Sequence, residues 1–258
     1  MGRLLTLLRP KGGGFPPDAL VVDVETDAAA QTVMLPLKTN VDVVVDWGDG
    51  SASEAFTTDD PSHEYAAAGE YTIVVRGAAG VFGNTASTEL ATTWRNRVVG
   101  VRQWGDLGFT SFAHLFRGAA GNVLVSNNIP GSVTSMTDMF RGAFAFNQDI
   151  GGWDTSSVES MSSMFRDAHV FNQDISAWDY RALAASTDLN VFLSDATDFS
   201  PANYGLLLAR WAEQLTQTPA IRTDLTPTIS SKYPASAAAD RAALVTAGWD
   251  ITDLGEDA

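Results

Sequence analysis

The 258-residue chain contains no cysteine, which excludes disulfides and thiolate-built zinc sites. Histidine is scarce: His63, His114 and His169 are too few for most zinc enzymes. Basic residues are outnumbered, with Lys plus Arg at 16 against Asp plus Glu at 31, a net charge of −15. That field repels phosphate backbones and anionic lipid, so neither nucleic-acid binding nor a membrane-surface role is expected. No apolar run approaches the roughly 18 residues of a membrane span, and Leu4 to Leu8 is shorter than a signal-peptide core. Cytosolic synthesis without an export signal is therefore expected. With 45% hydrophobic and 18% charged residues the chain can bury a core, and its length suits one or two domains.

What is present is a repeat. Residues 131–154 read GSVTSMTDMFRGAFAFNQDIGGWD and residues 156–179 read SSVESMSSMFRDAHVFNQDISAWD. Well over half of the aligned pairs are identical, including Met139/Met164, Phe140/Phe165, Asn147/Asn172, Ile150/Ile175 and Trp153/Trp178. A weaker copy, Phe112 to Ala119, precedes them, and a degraded echo follows at Asp195, Ala196 and Phe199. Val158, Met161, Met164, Phe165 and Ala168 recur at intervals of three and four, which predicts a short helix. Ser156 and Glu159 have the spacing of a capping box at its start. The segment from Phe171 to Trp178 is read as extended chain, so each unit is one coil of a solenoid. Asn147 and Asn172 then form a ladder satisfying backbone groups, with exposed ligand contacts as the alternative. Arg117, Arg141 and Arg166 also stack, as do Asp149 and Asp174, and an Arg–Asp network along one edge is expected.

The pattern SSVxxMxxMFxxAxxFNQDIxxWD resembles the BspA-type leucine-rich-repeat-like family of bacterial surface and phage-encoded proteins, over about residues 98–200. The resemblance implies a solenoid with a C-terminal cap. In the tail Ser236 is expected to N-cap a helix, Gly248 to stop it, and Trp249 to Thr252 to close as a strand. Upstream, Asp46-Trp47-Gly48-Asp49-Gly50, His63-Glu64-Tyr65 and Gly69-Glu70-Tyr71 resemble the polycystic-kidney-disease (PKD) domain signature, which implies an Ig-like β-sandwich. Trp47 is expected to plug its core, Gly48 and Gly50 to take positive φ, and His63 to bond a neighbouring loop. Asp46, Asp49, Asp59 and Asp60 are the residues that would hold Ca²⁺, although Asp is also an ordinary turn residue.

The expected fold class is mixed β and α/β: a PKD-like sandwich (18–93), a short leucine-rich-repeat-like solenoid (94–200) and a helical cap (201–258). Residues 1–17 form an N-terminal peg and linker. In the peg, Arg3 and Arg9 flank Leu4, Leu5, Leu7 and Leu8, the candidate anchoring residues, ahead of a Gly/Pro stretch; an ordinary loose terminus is the alternative.

No GxSxG elbow, P-loop, dinucleotide fingerprint or HExxH occurs. The aspartates of FNQD and WD recur once per coil, as a structural role predicts, whereas a catalytic pair would occur once. No catalytic residue, metal ligand or cofactor is assigned, and the chain is read as a non-enzyme. The function expected is that of a phage virion surface protein, either a head fibre or decoration or a tail-associated host-binding protein. It would be made in the host cytoplasm and held to other virion proteins through its N-terminus. A host glycan or protein is its expected outer partner, and self-association is left open. The rivals are a bacterial cell-surface adhesin and, from another class, a carbohydrate-active enzyme.

Overall fold

A computed structural model describes residues 14–84 and 92–257. The fold is mixed, mostly sheet with few helices, and no closed barrel occurs among the described residues. The N-terminal strands are β1 (Leu20–Thr26), β2 (Gln31–Met34), β3 (Leu37–Lys38), β4 (Asp42–Asp46), β5 (Glu54–Phe56), β6 (Ser62–Tyr65), β7 (Gly69–Ala78) and β8 (Val81–Phe82). After the short helix α1 (Thr92–Arg95) come β9 (Val98–Gln103) and β10 (Leu124–Val125). Six strands form one sheet in the order β10-β9-β1-β7-β4-β5, while β2 pairs with β6 and β3 with β8.

The apolar run Leu20-Val21-Val22 suits β1 to a central position, where it is flanked by β7 and β9. Asp23, buried on the face opposite Val22 and Val24, is satisfied by Thr72 Oγ1 at 2.8 Å and by the Arg102 guanidinium. β4 alternates exposed and buried residues, as a strand with one face on the core must. Because β9 pairs with β1, the sheet runs from the N-terminal module into the chain beyond residue 94. One apolar core accordingly extends from Leu20 to Ile251.

From β8 onward the chain stacks in coils. Val81, Ser111, Ser135 and Ser160 form a row of parallel single-residue bridges, one per coil. The helix expected over residues 158–168 is not there. The N–H groups of Met136, Asp138, Phe140 and Gly142 donate to carbonyls of Ser160, Ser162, Met164 and Arg166 in the next coil. Between them, the N–H groups of Met139, Arg141 and Ala143 donate three residues back, to Met136, Asp138 and Phe140. An α-helix would turn every one of these N–H groups inward along its own axis. Here four of these seven face the neighbouring coil, and left-handed residues make that possible. Asp138 (φ 56°), Gly142 (φ 64°), Ser163 (φ 56°) and Asp167 (φ 60°) break the helical path at every fourth position. Ser156 caps no helix; its N–H donates to Asp154 Oδ1 at 3.0 Å.

The C-terminal part contains α2 (Pro201–Leu215), β11 (Tyr233–Pro234), α3 (Ala238–Ala247) and β12 (Glu256–Asp257), which pairs with β11. Ser200 caps α2 by accepting from the Asn203 N–H, with Pro201 in the first turn. Tyr204, Leu207, Leu208 and Trp211 bury one face of α2. Ser236 is not the N-cap expected of it: a 3₁₀ turn (Ala235–Ala237) enters α3, and Ala237 takes the cap position without a side-chain bond. Gly248 (φ 115°) ends α3, where a Cβ would lie 2.6 Å from the Thr223 carbonyl oxygen. Residues 249–252 do not make a strand; Thr252 bridges Thr228, and the last strand is β12.

Candidate functional site

Repetition places identical side chains one above another. Met139, Phe140, Met164, Phe165 and Trp178 are fully buried, and Ile150, Trp153 and Ile175 nearly so. The rings of Phe140 and Phe165 stack at 5.7 Å and 3°, and those of Trp153 and Trp178 at 6.2 Å and 1°. Each indole N–H donates to a carbonyl one coil earlier, Trp153 to Ser126 at 2.9 Å and Trp178 to Ile150 at 3.0 Å. The polar rungs work alike. Asn122 Oδ1 accepts from the Asn147 N–H at 3.0 Å, and Asn147 Oδ1 from the Asn172 N–H at 2.9 Å. Asn172 Oδ1 then accepts from the Ser200 N–H at 3.0 Å, which hands the ladder to α2. Through their side-chain oxygens these asparagines hold chain to chain. The first rung, Asn122, lies 25 residues before Asn147, whereas the copy from Phe112 to Ala119 aligns at 24, so extending that copy at its own offset passes it by.

The recurring aspartates close turns. Asp149 and Asp174 accept from the N–H groups of Gly151 and Ser176, and Asp154 and Asp179 from those of Ser156 and Arg181. The Ser156 hydrogen bonds hold the Asp154 carboxyl below the usual range, and the Arg181 side chain does the same for Asp179.

Along one edge Arg117 and Arg141 share one acid and Arg166 pairs with another, and neither acid is Asp149 or Asp174. Asp138 Oδ2 lies 3.2 Å from His114 Nδ1, 3.3 Å from Arg117 and 3.5 Å from Arg141, and Asp167 lies 3.6 Å from Arg166. Burial would raise the Asp138 carboxyl. The His114 imidazole beside it and the charges of Arg141 and Arg117 outweigh it and hold the group below its ordinary value.

Beside this edge a groove of about 510 Å³ is lined by Arg95, Arg117, Arg141, Phe144, Gly142 and Asp167. Its volume falls within the range of small-ligand sites. Phe144 is 57% exposed, and its ring leans on His169 at 5.1 Å and 45°. Neither Arg95 nor Phe144 was marked by the repeat. The available signal was the disagreement among copies, since Ala120, Phe144 and His169 occupy one ladder position.

The four aspartates considered for Ca²⁺ do not converge. Asp59 and Asp60 lie between β5 and β6, against the Thr39 N–H and the Lys38 ammonium. Asp46 ends β4, and Asp49 lies in the turn after it, where Gly48 (φ 77°) and Gly50 (φ 88°) take positive φ. Asp46 accepts from the Gly48 N–H, while Asp49 accepts from Ser51 and lies 2.8 Å from His63 Nε2. The Ser51 hydrogen bonds, with His63 beside them, hold the Asp49 carboxyl far below its ordinary value. Among the described residues no cluster of three or more His, Asp or Glu is disposed to hold a metal ion. No helix there is long and apolar enough to cross a membrane. The candidate anchoring residues Arg3, Leu4, Leu5, Leu7, Leu8 and Arg9 lie outside the described residues.

Every side chain of the ladders between Asn122 and Trp178, and every one lining the groove, falls in a single stretch that comparison with known families picks out. Residues 86–204 match the family described as Mycoplasma protein of unknown function, DUF285. The DUF285 segment covers just under half of the chain, and the match fits a BspA-type repeat surface protein. No curated protein and no solved structure matches the chain.

Proposed function

We propose that the chain is a non-enzymatic, surface-exposed structural protein of a phage particle, a head fibre or decoration or a tail-associated host-binding protein. In this reading residues 18–93 are a PKD-like, Ig-like sandwich, residues 94–200 a leucine-rich-repeat-like solenoid, and residues 201–258 its cap. The observation that carries it is that Asn147, Asn172, Asp149 and Asp174, the polar residues that recur, all bond the protein's own backbone. A stack built that way is a scaffold, and it offers the outside only the positions where its copies differ. The basic and apolar residues 1–11, followed by Gly12–Gly14, Pro16 and Pro17, suit attachment of such a scaffold to a larger body.

A bacterial cell-surface adhesin is the second reading, and the DUF285 match favours it. Immunogold labelling of purified particles and of intact cells separates the two. Label on particles, lost when residues 1–11 are deleted without a change in melting temperature, is the expected result. Label confined to the cell envelope would replace the first reading by the second. Turnover of a soluble polysaccharide that Asp149→Asn or Asp174→Asn abolishes would overturn both.

A further inference from the structure

The Phe144 groove is where the coils stop copying one another. Gly118 and Gly142 occupy a left-handed position that Asp167 and Asp195 fill in the next two coils, all with φ between 60° and 66°. Glycine is therefore not required there by the backbone. Packing does not require it either. A Cβ on Gly142 would meet nothing nearer than 3.9 Å, and one on Gly118 would meet first the Arg95 guanidinium at 3.3 Å. What the two glycines do is leave the floor of the groove bare beside Arg95, Arg117 and Arg141, of which Arg117 and Arg141 also lie 3.3 and 3.5 Å from the buried Asp138. This happens in a chain whose net charge is −15.

From these observations we infer that the groove binds an acidic saccharide, a sugar chain carrying carboxylates. The inference deepens the host-binding reading above and rests on it. A planar carboxylate pairs with a guanidinium through two parallel hydrogen bonds, and backbone approach over bare glycine brings it within reach. Arginines alone would suit any anion. Two further features narrow the class. Phe144 presents a half-exposed ring on one wall, an apolar platform for the C–H face of a pyranose. Asp167 forms part of the same lining and would repel a bare anion, but it accepts hydrogen bonds from hydroxyls. Carboxylate, hydroxyls and an apolar face occur together in uronic and sialic acids. The distant acidic surface does not prevent this, because the Debye length is about 8 Å at physiological salt.

Calorimetric titration of the full chain with trigalacturonate and with sialyllactose tests the inference. The methyl ester of trigalacturonate, lactose and hexaglutamate serve as comparison ligands. At least one acidic sugar should bind saturably, with its uncharged counterpart about tenfold weaker, which is ~1.4 kcal/mol. Arg141→Gln and Phe144→Ala should each weaken binding about tenfold with the protein still folded, Arg141→Gln melting slightly lower for its lost contact with Asp138, and Lys232→Gln, remote from the groove, should leave binding unchanged. The assignment fails if neither acidic sugar binds, if both groove variants bind like the parent, or if hexaglutamate binds as tightly as the sugars. Such a failure removes the groove assignment alone, because particle labelling reports the location of the protein independently.

Discussion

The sheet around β1 and the coils after β8 meet the same backbone demand in two ways. In the sheet, partners come from afar: Leu20 faces Val75 and Val21 faces Gln103. The aromatic cluster between this sheet and the β2–β6 pair is made of unlike groups, with Trp47 stacked on His63 at 5.2 Å and Tyr65 donating its hydroxyl to the Trp47 carbonyl at 2.8 Å. Burial pushes that Tyr65 hydroxyl well above its ordinary value. In the coils each group meets its own copy about 25 residues on, and the rings lie within a few degrees of parallel. A sheet of unlike pairs gives each position its own environment. A stack of like pairs makes every position part of a row, so damage at one rung is felt by the rungs on either side.

The largest expected break in that contrast is Phe165→Ala. Phe165 is fully buried between Phe140, Phe171 at 3.9 Å and Phe192 at 5.5 Å. Its truncation should cost about 3–5 kcal/mol in urea unfolding. A variant melting within a degree or so of the parent would rule out the stacked core. Next comes Asn147→Leu, which strands the Asn172 N–H and the Gln173 amide that Asn147 now accepts from. A loss of about 2–3 kcal/mol is expected, against about 1 kcal/mol for Asn122→Ala, which has one such bond to lose. Equal losses would show that the rungs are not additive in bonds.

Asp138→Asn is third, at about 1.5 kcal/mol near neutral pH. The sign with pH follows from the depressed Asp138 carboxyl. Its contribution is complete above the unfolded value, near 3.9, and disappears as pH falls through the lower folded value. The parent and Asp138→Asn should therefore converge in acid, and urea midpoints between pH 7 and pH 2 would record it. A constant gap would mean that the carboxylate charge is not what holds this edge. The smallest effect is expected from Asp167→Gly. The change relieves a left-handed residue at the cost of unfolded-chain entropy, leaving stability within about 1 kcal/mol of the parent. It would also remove the hydroxyl acceptor from the groove, so acidic saccharide should bind more weakly and hexaglutamate, which lacks hydroxyls, more tightly.

The spacing of apolar residues showed which side chains would stack but misled about the backbone between them. A series of turns returns to the core every three or four residues, as Met161, Met164, Phe165 and Ala168 do, and so does a helix. The two differ in the sign of φ at Ser163 and Asp167, residues whose types do not announce it. Repetition also explains why the recurring aspartates and asparagines were readable as structural, while Phe144 and Arg95 were not readable as a site. The first belong to a row, and the second are exceptions to it.

Composition and repeat excluded a thiolate centre and dictated the Phe, Trp and Asn rows, because a side chain repeated at constant spacing in stacked coils must meet its copy. The placement of β9 beside β1, the left-handed turns and the convergence of Arg95, Arg117 and Phe144 were settled by folding. In each of these the decisive hydrogen bond or contact lies with a neighbour some 20 to 80 residues away, and local preference carries no information about which neighbour that will be.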